Sequence, residues 1–120
     1  MGTSALLCKR LKRGYYKCIS VHYDGDRVFD LLRFRYGDSF NVDELLDLGD
    51  ASYLTGRLYP TPGVAHTFVF PEKDVSVFYH RDRGDSKEVS GPWLLSTKEI
   101  KATMHDYIYI FDKEWRKVCR

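Results

Sequence analysis

No stretch of this sequence approaches the ~20 consecutive apolar residues that a membrane-spanning helix requires. No block of one charge stands out either. Nineteen Lys and Arg interleave with seventeen Asp and Glu, leaving a net charge of +2. A duplex nucleic-acid binder gathers its basic residues on one face or tail, so duplex binding is not expected. Cysteine is scarce and odd in number: Cys8, Cys18 and Cys119. They lack the spacing of a zinc site or of a disulfide framework, and reduced thiols in a cytoplasmic protein are the expectation. Proline is scarce and uneven, with Pro60, Pro62 and Pro71 making three of the four. There is no internal repeat, no linker and no cofactor motif. The opening "MGTSALLCKRLKR" places its basic residues after a short apolar run, the reverse of a secretory signal. Leu6 stands where a myristoylation signal after Gly2 carries Ser or Thr.

What is present suits one domain spanning residues 1–120. The chain is 43% hydrophobic and 30% charged, a globular balance, and 15% aromatic, which serves cores and contact surfaces alike. Apolar and β-branched runs predict strands over 4–11, 15–23, 74–80, 107–111 and 115–119. Gly14 supplies the turn of the first hairpin. Helices are predicted over 27–36, capped by Asp26; over 41–48, with an Asn41–Glu44 capping box; and over 97–105, with a Ser96–Glu99 box. Residues 50–73 read as a long irregular segment with at most a short strand at "HTFVF" (66–70), and loops of this length are usually functional or mobile. Hairpins at both ends predict an α+β fold: an antiparallel sheet of about five strands with helices packed on one face.

Two polar loops follow strands. The first is His22-Tyr23-Asp24-Gly25-Asp26, the second His80-Arg81-Asp82-Arg83-Gly84-Asp85. Three readings of the second are open. It is a solvated turn; or Arg81 and Arg83, projecting to one face with Asp82 on the other, hold an anion while Gly84 lets backbone amides approach; or a buried Arg–Asp pair ties it to the first loop. His22, Asp24, His80 and Asp82 are plausible metal ligands by type, but their spacing matches no metal signature, and no metal is expected. His66 and His105 are expected at the surface. The alternating tyrosines, Tyr15, Tyr16, Tyr79, Tyr107 and Tyr109, should pack half of their number into the core.

The combination "HYDGD", "LLRFRYG", "VDELLDLGDASYL", "VFYHRDRGD" and "YIYIFDKEWRKV" resembles a family of small, uncharacterised bacteriophage and prophage proteins over roughly residues 3–117. That family carries a His-(Trp/Tyr)-Asp-Gly turn, an "LGD-x-S-x-L" stretch and a late Tyr-x-Arg-Asp-Arg-Gly-(Glu/Asp) signature. Tyr23, Asp26 and Asp85 depart from its commonest residues. The resemblance marks His22, Asp24, Gly25, Gly49, Asp50, Leu54, Arg81, Asp82, Arg83 and Gly84 as signature positions and implies no catalytic role for any. It implies a setting: a phage accessory protein in the host cytoplasm that counters host defence without catalysis. Direct contact with a host immune protein, in the manner of an anti-CRISPR inhibitor, is the leading expectation. The expected binding residues are His22, Tyr23, Asp24, His80, Arg81, Asp82, Arg83 and Gly84. Two alternatives stand beside it. One is a sponge for a nucleotide immune signal, with the arginines on a phosphate-containing ligand. The other is a metal-dependent nucleotide-processing enzyme using Asp24 and Asp82.

Overall fold

A computed structural model describes residues 3–118. Gly2, Cys119 and the last residue of the strand expected at 115–119 lie outside the described residues. In chain order the elements are β1 (Ala5–Lys12), β2 (Tyr15–Val21), α1 (Val28–Arg35), α2 (Ser39–Asp47), β3 (Ala51–Tyr53), β4 (Val77–Phe78), α3 (Tyr79–Arg83), α4 (Lys87–Ser90), β5 (Trp93–Ser96), α5 (Thr97–Lys101), β6 (Tyr107–Asp112) and β7 (Glu114–Val118).

The fold is α+β, but the sheet is mixed rather than antiparallel. Its order is β4-β3-β2-β1-β6-β7, with β5 also paired to β2. Both terminal hairpins, β1–β2 and β6–β7, are antiparallel. Gly14, at φ +81°, makes the first turn in a conformation that favours glycine. Hairpin geometry sets direction only within a hairpin, however. The long connection between the two lets β6 dock parallel to β1, from Ala5↔Tyr107 to Lys9↔Phe111. A second parallel contact joins β2 to β3 at Val21↔Ala51.

Helices cover both faces, not one. Ala5, Leu6, Leu7 and Cys8 of β1 are all buried, so this central strand has two apolar faces that each need cover. On one face, Leu7, Ile19 and Val21 pack with Val28 and Leu32 of α1 and Val42, Leu45 and Leu46 of α2. On the other, Leu6, Cys8, Cys18 and Ile108 pack with Ile100 of α5. Lys9 and Lys17, opposed across β1–β2, reach Asp43 and Asp47, one turn apart on α2. These half-exposed pairs orient α2 and add little stability.

The helix starts differ from expectation. Arg27, not Asp26, precedes α1, without a side-chain cap, and its N–H donates to Asp24 O at 2.9 Å. Asp38 caps α2 by accepting from Asn41 N–H at 2.8 Å, so the Asn41–Glu44 pair lies inside the helix. The Ser96–Glu99 box does cap α5, which ends at Lys101, short of 105. There Thr103 Oγ1–H donates to Ile100 O.

The largest correction falls at 74–80. Only Val77–Phe78 is strand; at Tyr79 the chain turns into α3, closed by Gly84 at φ +88°. Residues 66–70 form no strand. Among the described residues no helix is long and apolar enough to cross a membrane.

Of the segment expected to be irregular, Ala51–Tyr53 is β3, and the chain beyond it is held mainly by side chains. Glu72 accepts from Thr61 N–H and Thr61 Oγ1–H, each at 2.8 Å, and from Arg57 Nη2 at 3.1 Å. Thr55 N–H donates to Ser76 Oγ at 2.8 Å. Amides of 54–73 are expected to exchange hydrogen faster than those of Tyr107–Phe111, which lie between β1 and β7. Hydrogen-exchange mass spectrometry checks this; equal protection would place the segment in the same cooperative unit as the sheet.

Candidate binding site around Arg83

The site begins with a gap at the edge of β2. There β5 pairs with Tyr15–Cys18 and β3 with Val21, leaving Ser20 between them. Asp50 fills the gap: its Oδ1 accepts Ser20 N–H at 2.8 Å, where a strand carbonyl would otherwise stand. The same carboxylate accepts Trp93 Nε1–H at 3.1 and 3.2 Å. Asp50 N–H donates to Ser90 O at 2.7 Å, and Asp50 O accepts Tyr79 N–H at 3.1 Å. One residue therefore joins β2, α3 and the end of α4. Burial raises its carboxyl pKa, against the bonds from Ser20 and Trp93 and the nearby His22. With the folded pKa raised, stability from this group is fully present below the unfolded value and declines as pH rises through the folded one. Asp50→Asn keeps an acceptor for Ser20 and removes the buried charge. Its Tm at neutral pH should match or exceed that of the wild type; a fall beyond about 5 °C would show that the charge itself is required.

Beside Asp50 lies a depression of about 100 Å³ lined by His22, Asp50, Tyr79, Arg83, Asp85, Val89 and Ser90. Here the two polar loops meet. His22 Nδ1 lies 2.6 Å from Tyr79 Oη. The Arg83 guanidinium sits over the Tyr79 ring at 4.6 Å and over Phe68 at 4.8 Å. Its fork closes on Asp85, Nε to Oδ1 at 3.0 Å and Nη2 to Oδ2 at 2.6 Å. This hydrogen bonding raises the Arg83 pKa and lowers that of Asp85. Val89 (65% exposed) lines the depression, and Tyr23, Val69 and Phe70 (80%), also exposed, follow His22 and Phe68 in the chain.

Arg81 and Asp82 belong to a different cluster. The Asp82 side chain is 3% exposed. It accepts Phe78 N–H at 2.8 Å and Arg81 Nε and Nη2 at 2.8 and 3.0 Å. Arg81 also donates to Leu58 O and to Ser76 O. His66 completes the cluster, with a side chain only 2% exposed rather than at the surface. Its Nδ1 accepts Glu72 N–H at 2.9 Å, and its Nε2 lies 3.3 Å from Asp82 Oδ2. Arg81 Nη2 lies 3.5 Å from that same nitrogen. Burial would raise the Asp82 pKa; the hydrogen bonds from Arg81 and Phe78 and the Arg81 charge outweigh it and hold the carboxyl below its usual range.

Because 79–83 is helical, the strand-like alternation of Arg81 and Arg83 does not arise, and the two arginines serve separate clusters. His80 Nδ1 lies 2.6 Å from Asp85 O, and Gly84 N–H donates to His80 O at 3.1 Å. Tyr23 N–H donates to Ser52 O at 2.9 Å. Asp24, exposed at φ +60°, is a turn residue, whereas Asp82 is enclosed by Arg81 and His66. Among the described residues no group of three His, Cys, Asp or Glu side chains is placed to hold a metal ion. His105 is half-buried, its Nε2 2.7 Å from Ser20 Oγ, and not on the open surface.

Compared with known proteins, the chain matches no protein-family model, no curated protein and no solved structure.

Of the expected binding residues, His22 and Arg83 line the depression, Tyr23 is next in sequence to His22, and His80 and Gly84 shape the turn that carries Asp85. Asp24, Arg81 and Asp82 do not line it. Asp50, Tyr79, Asp85, Val89 and Ser90 do, and were not among the expected binding residues. Asp50 had a signal in the "LGD" stretch, and Tyr79 and Asp85 in the late Tyr-x-Arg-Asp-Arg-Gly-(Glu/Asp) signature. Tyr79 read as a core strand residue.

Proposed function

We propose that the protein is a phage-encoded, non-enzymatic binder that counters host defence in the host cytoplasm by direct contact with a host immune protein. The phage setting rests on the resemblance of its motifs. Protein contact rests on the surface around Arg83. A guanidinium lying over two aromatic rings, neutralised by Asp85, with exposed Val89 lining the same depression and exposed Tyr23, Val69 and Phe70 following His22 and Phe68 in the chain, has the composition of an interface anchor.

The sponge reading is less well supported. A depression of about 100 Å³ is small beside the ~300–1,000 Å³ of ordinary small-molecule sites. Both arginines named for a phosphate already carry carboxylate partners. A groove of about 320 Å³ between α1, α2 and residues 56–59 is roomier. Its Arg35 is committed to Gly56 O, and its Arg57 to Thr61 and Glu72.

The test is to plate defence-sensitive phage on a defence-competent host with and without the protein, then to co-purify the defence components with it. Restored plating together with a stoichiometric complex is expected. Restored plating with a depleted nucleotide signal and no complex would favour the sponge. No restoration against any defence system tested would overturn the proposal.

A further inference from the structure

Cys8 and Cys18 are direct partners across the β1–β2 ladder. Both are fully buried, and their Sγ atoms lie 3.0 Å apart. Directly opposed residues of an antiparallel pair have Cα atoms ~4.5–5.5 Å apart, inside the ~4.4–6.8 Å that a disulfide spans. The main chain therefore already sits at bridging distance, and side-chain rotation alone closes the sulfurs. Leu6, Ile100 and Ile108 surround the pair with apolar groups.

We propose that Cys8 and Cys18 form a reversible dithiol–disulfide site, closed by a small hydroperoxide and reopened by a thiol reductant, which staples β1 to β2. With hydrogen peroxide, one thiolate attacks a peroxide oxygen and the O–O bond breaks. That sulfur becomes a sulfenic acid, and the departing hydroxide takes up a proton to leave as the first water. The second sulfur attacks the sulfenic sulfur, the S–S bond forms, and a second water leaves. Two thiols are oxidised and one peroxide is reduced to two waters. The staple acts on the strand whose next residues bear the site: Ser20 holds Asp50, and His22 lines the depression.

The resting pair is slow to react. The hydrogen bond shared with Cys18, and then burial, hold the Cys8 thiol far above its usual pKa, and the thiolate is the reactive form. Closure therefore requires transient opening of the apolar cover, and its rate should rise in mild urea.

The experiment treats the full chain with hydrogen peroxide, with and without mild urea, quenches in acid, alkylates, and digests with trypsin without reduction. The peptides ending at Lys9 and Arg27 are expected as one linked species, about 2 Da below their sum. The Tm should rise on the order of 10 °C and return on adding dithiothreitol. Cys8→Ser should lose both effects, but the wild-type result stands without it. Separately alkylated Cys8 and Cys18 after prolonged treatment in urea, sulfinic acid at either, a link to Cys119 instead, or a linked pair with unchanged Tm would each overturn the proposal.

Discussion

Asp82→Ala is expected to destabilise the protein by about 3–5 kcal/mol. The substitution removes the shared acceptor of Phe78 N–H and two Arg81 nitrogens, and the carboxylate beside His66 Nε2, in a position from which water is nearly excluded. Arg81 stays anchored to Leu58 O and Ser76 O and cannot swing fully into solvent, so its charge loses its counter-ion in place. Asp82→Asn should lose much of the same stability, because an amide sets a donor against one of these donors. The pH dependence has a definite sign. Asp82 is held below the usual carboxylate range, so its contribution is present above about pH 4 and disappears as pH falls through the folded value. The acid sensitivity of the wild type over that range should be reduced in Asp82→Ala. Urea unfolding at pH 7 and pH 3 measures both effects. A loss below about 1 kcal/mol at pH 7 would mean that the cluster is open to water and acts as an ordinary surface pair.

Trp115→Ala should cost a similar amount, about 3–5 kcal/mol. Trp115 is buried in β7, packs on Phe111 with ring centroids 5.5 Å apart, and donates Nε1–H to Tyr36 O at 2.7 Å just past the end of α1. It closes one end of the larger core, where sheet and helix meet. Trp115→Phe separates the two contributions: it keeps much of the apolar area and loses the hydrogen bond, for about 1–2 kcal/mol. Denaturant unfolding of both variants checks the order. Equal losses would assign the whole effect to the hydrogen bond.

What the sequence carried well was local. The "KRG" turn, the β1–β2 and β6–β7 hairpins and the Ser96–Glu99 cap all depend on residues close in the chain, where steric preference and short-range hydrogen bonds decide. The direction of β6 against β1 depends on how two hairpins meet after a long connection, and no residue within either hairpin records it. β3 and β5 are three and four residues long, too short for alternation to register. At Tyr79 the departure has a physical cause. A β-rich run, Val75 to Phe78, leads into α3, and tertiary bonds from Phe78 N–H to Asp82 and from Tyr79 N–H to Asp50 O override the local preference. The same limit governs the site. His22 and Arg83 were visible as residue types in polar loops, and their loops do meet. That Arg81 is internal and Arg83 on the rim is decided by one turn of helix rather than by composition. The role of Asp50 was hidden, though its position was marked, because replacing a strand carbonyl is possible only once β3 and β5 share an edge of β2.

The central claim is that the Arg83 surface contacts a protein partner, and one variant tests it most directly. Arg83→Ala should be assayed for phage plating on the defence-competent host and for Tm in the same preparation. Arg83 is half-exposed, its ion pair is with Asp85 on the same turn, and its contacts with the Tyr79 and Phe68 rings lie at the surface, so the Tm should move by no more than roughly 2 °C. Loss of an interface anchor should lower plating at least about ten-fold. Wild-type plating at an unchanged Tm, or a collapse of Tm that accounts for lost plating, would contradict the account.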